Sequence, residues 1–411
     1  MAIALAARRR FVLVLGCLTG LAAVSIDMSL PAIPGMVREL ATSMSLGQQV
    51  IGYFIAGIAL GMLPAGLVSD RIGRLPVLYA GVGLFTLAGI GCAVSQSIEL
   101  ILAARFVQGI GASAGIVVSR AIVRDIASGA QAARLLSLMV MIFTAAPMLA
   151  PLAGSALVSL GDWRTPFFAI AIFGGLLLYG VNRALPETRQ PEREHHILKQ
   201  LLLSLREFFT HRQSILGLLL IMLTAGGFMS VITGASALII EIYGYPVRAF
   251  GFIFALAGIS LLASSSLSRR LLLRFDSLQV IGLGVTLIAI AAAQMLLIAW
   301  LGSAGFWWLW FTVCLYLFGT ALLLPNATAL ALDPLPATAG VAASVIGTMQ
   351  NVAAATSSLI SSSLYDGTVR NVVINMGLCG TGVTLVYLLR GPIMAGRPLH
   401  VAGHPGRESA P

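Results

Sequence analysis

The feature that most constrains this chain is repeated along it: an apolar run of roughly 18 or more residues, then a short polar connection. Such a run matches the hydrocarbon thickness of a bilayer, where no water is present to satisfy backbone N–H and C=O groups. A run in that setting must satisfy its own backbone, and a helix does so. Twelve runs fit this description. In the first half they cover about 11–30, 48–68, 77–97, 100–120, 135–158 and 165–185. In the second half they cover about 214–238, 250–272, 277–300, 306–328, 339–362 and 371–390. The expected fold is therefore an all-α integral membrane protein whose twelve helices form two six-helix bundles. The bundles are 1–185 and 213–390, joined by a linker at 186–212 and followed by a disordered cytoplasmic tail at 391–411.

Composition enters where class and orientation are decided. Hydrophobic residues make up 58% of the chain and charged residues 10%, against about a quarter charged in soluble domains. The net charge of +10 suggests nucleic acid until the basic residues are placed. With the N-terminus inside, twenty of the 25 lysines and arginines fall in cytoplasmic segments and four outside, leaving Arg105 within a span. Positive-inside loops explain that charge, exclude a nucleic-acid partner, and place both termini in the cytoplasm. The five tryptophans (Trp163, Trp300, Trp307, Trp308, Trp310) collect near the outer interface, as an aromatic belt would. All four cysteines lie in apolar runs and read as small buried hydrophobes, with no metal site implied. Arg8-Arg9-Arg10 before an apolar run imitates a signal peptide, yet the run continues to Leu30 without a cleavage site, so a retained first span is expected. In the linker, Ile197, Leu201, Leu202, Leu205, Phe208 and Phe209 share a helical face, which suits either an amphipathic helix in the inner interface or a plain spacer.

Spans 2 and 3 are joined by Gly66-Leu-Val-Ser-Asp70-Arg71-Ile-Gly73-Arg74, too short for anything but a tight antiparallel hairpin. Asp70 sits at a helix end with Arg71 and Arg74 within one turn. This wording resembles the signature loop of the major facilitator superfamily of secondary transporters, and in such relatives the loop contacts the inner end of span 4. Asp125 is the partner offered there, so Gly66, Asp70, Arg71, Gly73, Arg74 and Asp125 are expected to form a conformational latch. Arg105-Phe-Val-Gln108-Gly-Ile-Gly111 in span 4 resembles a second motif of the superfamily. Pro147, Pro151 and Gly154 in span 5 resemble its antiporter motif, a feature of exporters; read from the residues alone they make a kinked helix with small neighbours.

A narrower resemblance, to the Bcr/CflA drug:proton antiporter branch, rests on Asp27-Met-Ser-Leu-Pro31-Ala-Ile-Pro34, Arg124-Asp125-Ile, Leu185-Pro-Glu-Thr188 and Pro325-Asn326-Ala-Thr-Ala-Leu-Ala-Leu332. Asp27 and Arg105 are the ionisable residues placed inside spans, where a charge is costly. Counting residues puts Asp27 about 6 Å below the outer end of span 1 and Arg105 about 9 Å below that of span 4. In relatives spans 1 and 4 both line the cavity, which would let the two meet. Asp27 with Arg105 then serves proton coupling, as an acid whose pKa responds to burial and to the arginine; otherwise Asp27 snorkels to the outer interface or is a structural partner of Arg105. Tyr53, Gln108, Thr224, Ser230, Thr233, Gln350 and Asn351 are uncharged candidates for the substrate cavity, helix packing being the alternative.

Gly111-Ala-Ser113-Ala-Gly115 fits the nucleophile-elbow pattern, but the five histidines lie in the linker and tail, so no base is at hand and a helix-packing face is the better reading. No phosphate-binding loop motif occurs. The expectation is a transporter, not an enzyme: a monomer in the inner membrane, without cofactor, driven by the proton gradient. It would export small, neutral, amphipathic compounds of the phenicol or bicyclomycin kind. Thr19 stands where some cation-exporting relatives carry a second acid, so dications are excluded and Arg105 is left to donate to cargo. A sugar or nucleoside exporter, or a proton symporter of the same fold, is the alternative.

Overall fold

The computed structural model describes residues 9–188, 205–336 and 338–391, and every regular element among them is helical. The first half holds α1 (Arg9–Ser29), α2 (Met44–Ile72), α3 (Arg74–Val94), α4 (Ile98–Ile126), α5 (Gly129–Leu160) and α6 (Thr165–Ala184). The second holds α7 (Arg212–Ser236), α8 (Val247–Leu271), α9 (Ser277–Leu301), α10 (Phe306–Leu332), α11 (Ala339–Ser363) and α12 (Val369–Leu388). Ten of these runs, all except α5 and α11, are long and apolar enough to cross a membrane. Helix α11 falls short because Ser, Thr, Gln and Asn interrupt it throughout. The linker residues Ile197, Leu201 and Leu202 and the tail beyond residue 391 lie outside the described residues. Of the linker face, Phe208 is fully buried while Phe209 is half exposed.

Local chemistry sets the boundaries. Ser43 and Ser97 accept from the N–H groups of Leu46 and Leu100 and so cap α2 and α4. Asp276 and Gln279 form a capping box at the start of α9. Span 1 is longer than the apolar count suggests. Pro31 and Pro34 do not end it, because α1 passes through a 3₁₀ turn at Leu30–Ala32 into a short helix, Ile33–Glu39. Asp27 therefore lies twelve residues before the end of that helical run, about 18 Å along it rather than 6 Å.

The packing obeys a rule. Helix α1 packs on α4, α5 and α6; α2 packs on α4; α3 packs on α4 and α6. Adding six to each label reproduces the second half: α7 on α10, α11 and α12, α8 on α10, α9 on α10 and α12. The repeat extends to single residues. Gly81 of α3 and Gly111 of α4 lie against each other's backbone carbonyls, and so do Gly284 of α9 and Gly319 of α10. Gly81 and Gly284 stand eighth in their helices, Gly111 and Gly319 fourteenth. Without water-driven burial between helices in lipid, close backbone approach at small residues supplies the attraction. The halves touch mainly through α2 on α11 and α5 on α8. Gly52 meets Leu359 and Met62 meets Gly347 at the first seam; Gly251 meets Leu152 and Gly258 meets Met148 at the second.

Candidate functional site

At the α2–α3 turn one residue, Gly73, separates the two helices. Its φ of 103° and ψ of 165° lie in a region open essentially to glycine. That sharp reversal brings Arg74 under the end of α2. The Arg74 side chain is only 3% exposed. Nη1 donates to Asp70 Oδ1 at 2.6 Å and Ser69 Oγ at 2.8 Å, while Nε and Nη2 reach Asp125 at 2.8 and 3.2 Å. Asp125 also accepts from Thr188 Oγ1 at 3.0 Å. Glu187 accepts from the backbone N–H groups of Arg74 and Leu75, each at 2.9 Å, placing a carboxylate on the first turn of α3 where the helix dipole favours it. The segment after α6 thus closes the turn from behind. Ser69, Glu187 and Thr188 were not singled out from the sequence for this role. Leu185-Pro-Glu-Thr188 was visible as a motif, but its landing place, more than a hundred residues away, was not. Arg71 is exposed, and Gly66 faces Val117 of α4.

Arg105 is completely buried. Nη1 donates to Ser25 Oγ (2.8 Å) and Gln108 Oε1 (2.9 Å); Nη2 donates to Ser29 Oγ (2.7 Å) and the Ser25 carbonyl (3.3 Å). The guanidinium also lies over Phe54 at 4.7 Å and Phe167 at 5.4 Å. Its pairing with Asp27 does not occur. Ser25 and Ser29, one turn apart, turn toward α4, and Asp27, two residues from each, sits about 200° round the helix on the far side. The two are level but face apart. Asp27 is 5% exposed and makes no hydrogen bond or ion pair among the described residues. The expectation that Arg105 donates to cargo is corrected as well. Its Nη groups are engaged and no surface of it is open.

The span 5 motif sits between the halves. Gly154 lies against the Met28 carbonyl of α1, and Gly251 of α8 lies against the Pro151 carbonyl and Leu152. Pro147 and Pro151 both stand inside a continuous α5. Among the uncharged candidates, Ser230 and Thr233 are buried and bonded to Ser357 (2.9 Å) and Ser358 (2.7 Å) of α11. They hold helices together. Gln108 likewise belongs to Arg105 and also donates to the Phe85 carbonyl. Thr224 is buried with its hydroxyl unpartnered, whereas Gln350 and Asn351 are half-buried and Tyr53 is 37% exposed. Asn351 reaches Met62 across the α2–α11 seam. Asn375 of α12 was missed, though its Nδ2 converges on Ser230, Ser357 and Ser361 at 2.8, 3.0 and 2.6 Å. An Asn inside an apolar run, one turn after Asn371, was the available signal. Ser113 packs against Gly61 and donates to the Ile110 carbonyl, as a helix-packing residue would.

Two repeated sets of six helices, an ion-pair cluster at one inter-helix turn and a buried lone carboxylate make up the architecture of a secondary membrane transporter. The chain belongs to the major facilitator superfamily, whose family profile matches residues 15–358. It is similar to the bicyclomycin resistance protein homolog of Haemophilus influenzae, at 29% identity over 92% of this chain and 95% of that one. It is similar also to multidrug resistance protein D of Escherichia coli, at 27% identity over 87% and 90% of the two chains. Among solved structures, a D-xylose–proton symporter superposes with a TM-score of 0.73 at 16% identity, covering 94% of this chain and 98% of that one.

Proposed function

We propose that this protein is a proton-coupled multidrug exporter working by alternating access. Residues 1–185 and 213–390 would be two six-helix bundles, all twelve long helices would cross the inner membrane, and both termini would be cytoplasmic. The protein would act as a monomer. The observation that carries the coupling is Asp27: a buried carboxylate facing away from Arg105, with no cation beside it. A carboxylate in that position cannot stay charged without a partner, so it takes a proton, or exchanges that proton for cargo. Arg105 ties α1 to α4 and so holds Asp27 at its level. The α5 motif, wedged between α1 and α8, transmits movement of one half to the other. Arg74, Asp70 and Asp125 lock the cytoplasmic end.

Cargo follows from the charge count. Once Asp27 is protonated the site offers no charge, so a neutral amphipathic molecule meets no desolvation mismatch whereas a dication does. The resistance named in the bicyclomycin relative supports that class. The test is uptake into inverted vesicles under an imposed proton gradient. Asp27→Asn should be inserted and folded yet fail to concentrate substrate; concentration against a gradient by that variant would remove Asp27 from the coupling role.

A further inference from the structure

We propose that the α8–α9 turn is a docking site for anionic phospholipid headgroups. Helix α8 ends in Arg269 and Arg270, and the chain then runs Leu272-Leu273-Arg274-Phe275 before Asp276 opens α9. Leu273 is 84% exposed, Phe275 49% and Leu272 43%. Leu273 stands almost clear of the described protein, and about half of Leu272 and of Phe275 does. None of the three arginines lies within ion-pair distance of a described carboxylate, and their one side-chain bond runs from Arg269 to Ser266 at 3.3 Å. Asp276, next in sequence, is committed to its capping box with Gln279.

The twin turn sharpens the point. By the internal repeat the α2–α3 turn is the counterpart of this one, and there the arginine is turned inward, with Arg74 bonded to Asp70 and Asp125. In the second half Asp333, which stands at the end of α10 as Asp125 does at the end of α4, accepts from Gln213 at 3.2 Å and forms no ion pair with the turn's arginines. Those arginines and the turn's leucines face out together at the ends of two membrane helices. An anionic phospholipid satisfies both chemistries at once, its phosphate accepting from the guanidinium forks and its acyl chains taking the leucines and the phenylalanine. Free phosphate would leave the apolar side chains in water. This inference rests on α8 and α9 being membrane spans, not on which leaflet the turn faces.

The experiment uses the full chain in nanodiscs, whose two leaflets have one composition. Leu273→Trp places a fluorophore in the turn, and the parent protein supplies the background of the native tryptophans. Quenching by brominated phosphatidylglycerol is compared with quenching by brominated phosphatidylethanolamine at equal mole fraction. Phosphatidylglycerol should quench more strongly, the apparent affinity ratio falling on the order of fivefold per arginine lost. R269Q/R270Q/R274Q should erase the preference and R269K/R270K/R274K should keep most of it. If the glutamine variant fails to fold, salt titration of Leu273→Trp alone serves, because the preference should fade as ionic strength rises. Equal quenching by both lipids, or a preference indifferent to glutamine or to salt, overturns the headgroup site and leaves the spans standing. Absence of quenching by either lipid overturns both.

Discussion

At the scale of single residues, Asp27 and Arg105 divide the labour that the sequence had joined. Arg105 is a clamp. Four hydrogen bonds and two aromatic faces hold it, and lysine can reproduce neither the fork nor the stacking. Arg105→Lys should cost on the order of 3 kcal/mol, from lost charged hydrogen bonds and ring contacts. Thermal unfolding in detergent reads this as a lowered Tm. Asp27→Asn should leave Tm unchanged or raise it, since it replaces a buried carboxylate that has no hydrogen-bond partner. The two variants thus separate by their melting curves before any transport is measured, and an Arg105→Lys protein melting like the parent would refute the clamp.

At the scale of elements, the start of α3 depends on residues from three places in the chain. Gly73→Ala should cost about 1–3 kcal/mol in backbone strain and press its new Cβ toward Glu187. Glu187→Gln keeps the shape and removes the charge from the helix dipole, worth about 0.3–1 kcal/mol. Both should slow turnover, as should Asp70→Asn, while leaving the binding constant for substrate near that of the parent, because none of these residues touches Asp27 or the half-exposed polar groups at the α2–α11 seam. Equilibrium binding and initial transport rate on the same preparation check this. A binding defect matching the rate defect would place the turn in the substrate site.

At the scale of the whole molecule, the two seams must open and close for cargo to pass. Gly52 and Leu359 meet across the α2–α11 seam, so Gly52→Cys with Leu359→Cys should cross-link on oxidation and stop transport until reductant is added. Full transport in the oxidised, cross-linked form would show that this seam need not part. Cargo charge is read at the same scale. Cells expressing the protein should resist neutral phenicol-type compounds more than bis-quaternary cations, and a proton-gradient uncoupler should abolish that resistance. Protection against the dications alone would contradict a cavity that becomes neutral on protonating Asp27.

Helix class and the approximate limits of the ten long apolar runs were legible in the sequence, because lipid forces each span to satisfy its own backbone and apolar length then marks it. The Asp70–Arg74 ion pair was legible too, since the two are one helical turn apart and local geometry joins them. Facing was not legible. Whether Asp27 meets Arg105 depends on the rotation of α1 about its axis, and that rotation is set where Ser25 and Ser29 of α1 accept from Arg105 of α4, itself held between Phe54 of α2 and Phe167 of α6. The same holds for Glu187, whose carboxylate caps a helix distant in sequence, and for Ser230 and Thr233, which α11 occupies with its own serines. Chain-local chemistry decides which elements form; which side of each helix is turned to a neighbour is decided by packing across the fold, and the functional groups of this transporter depend on that choice.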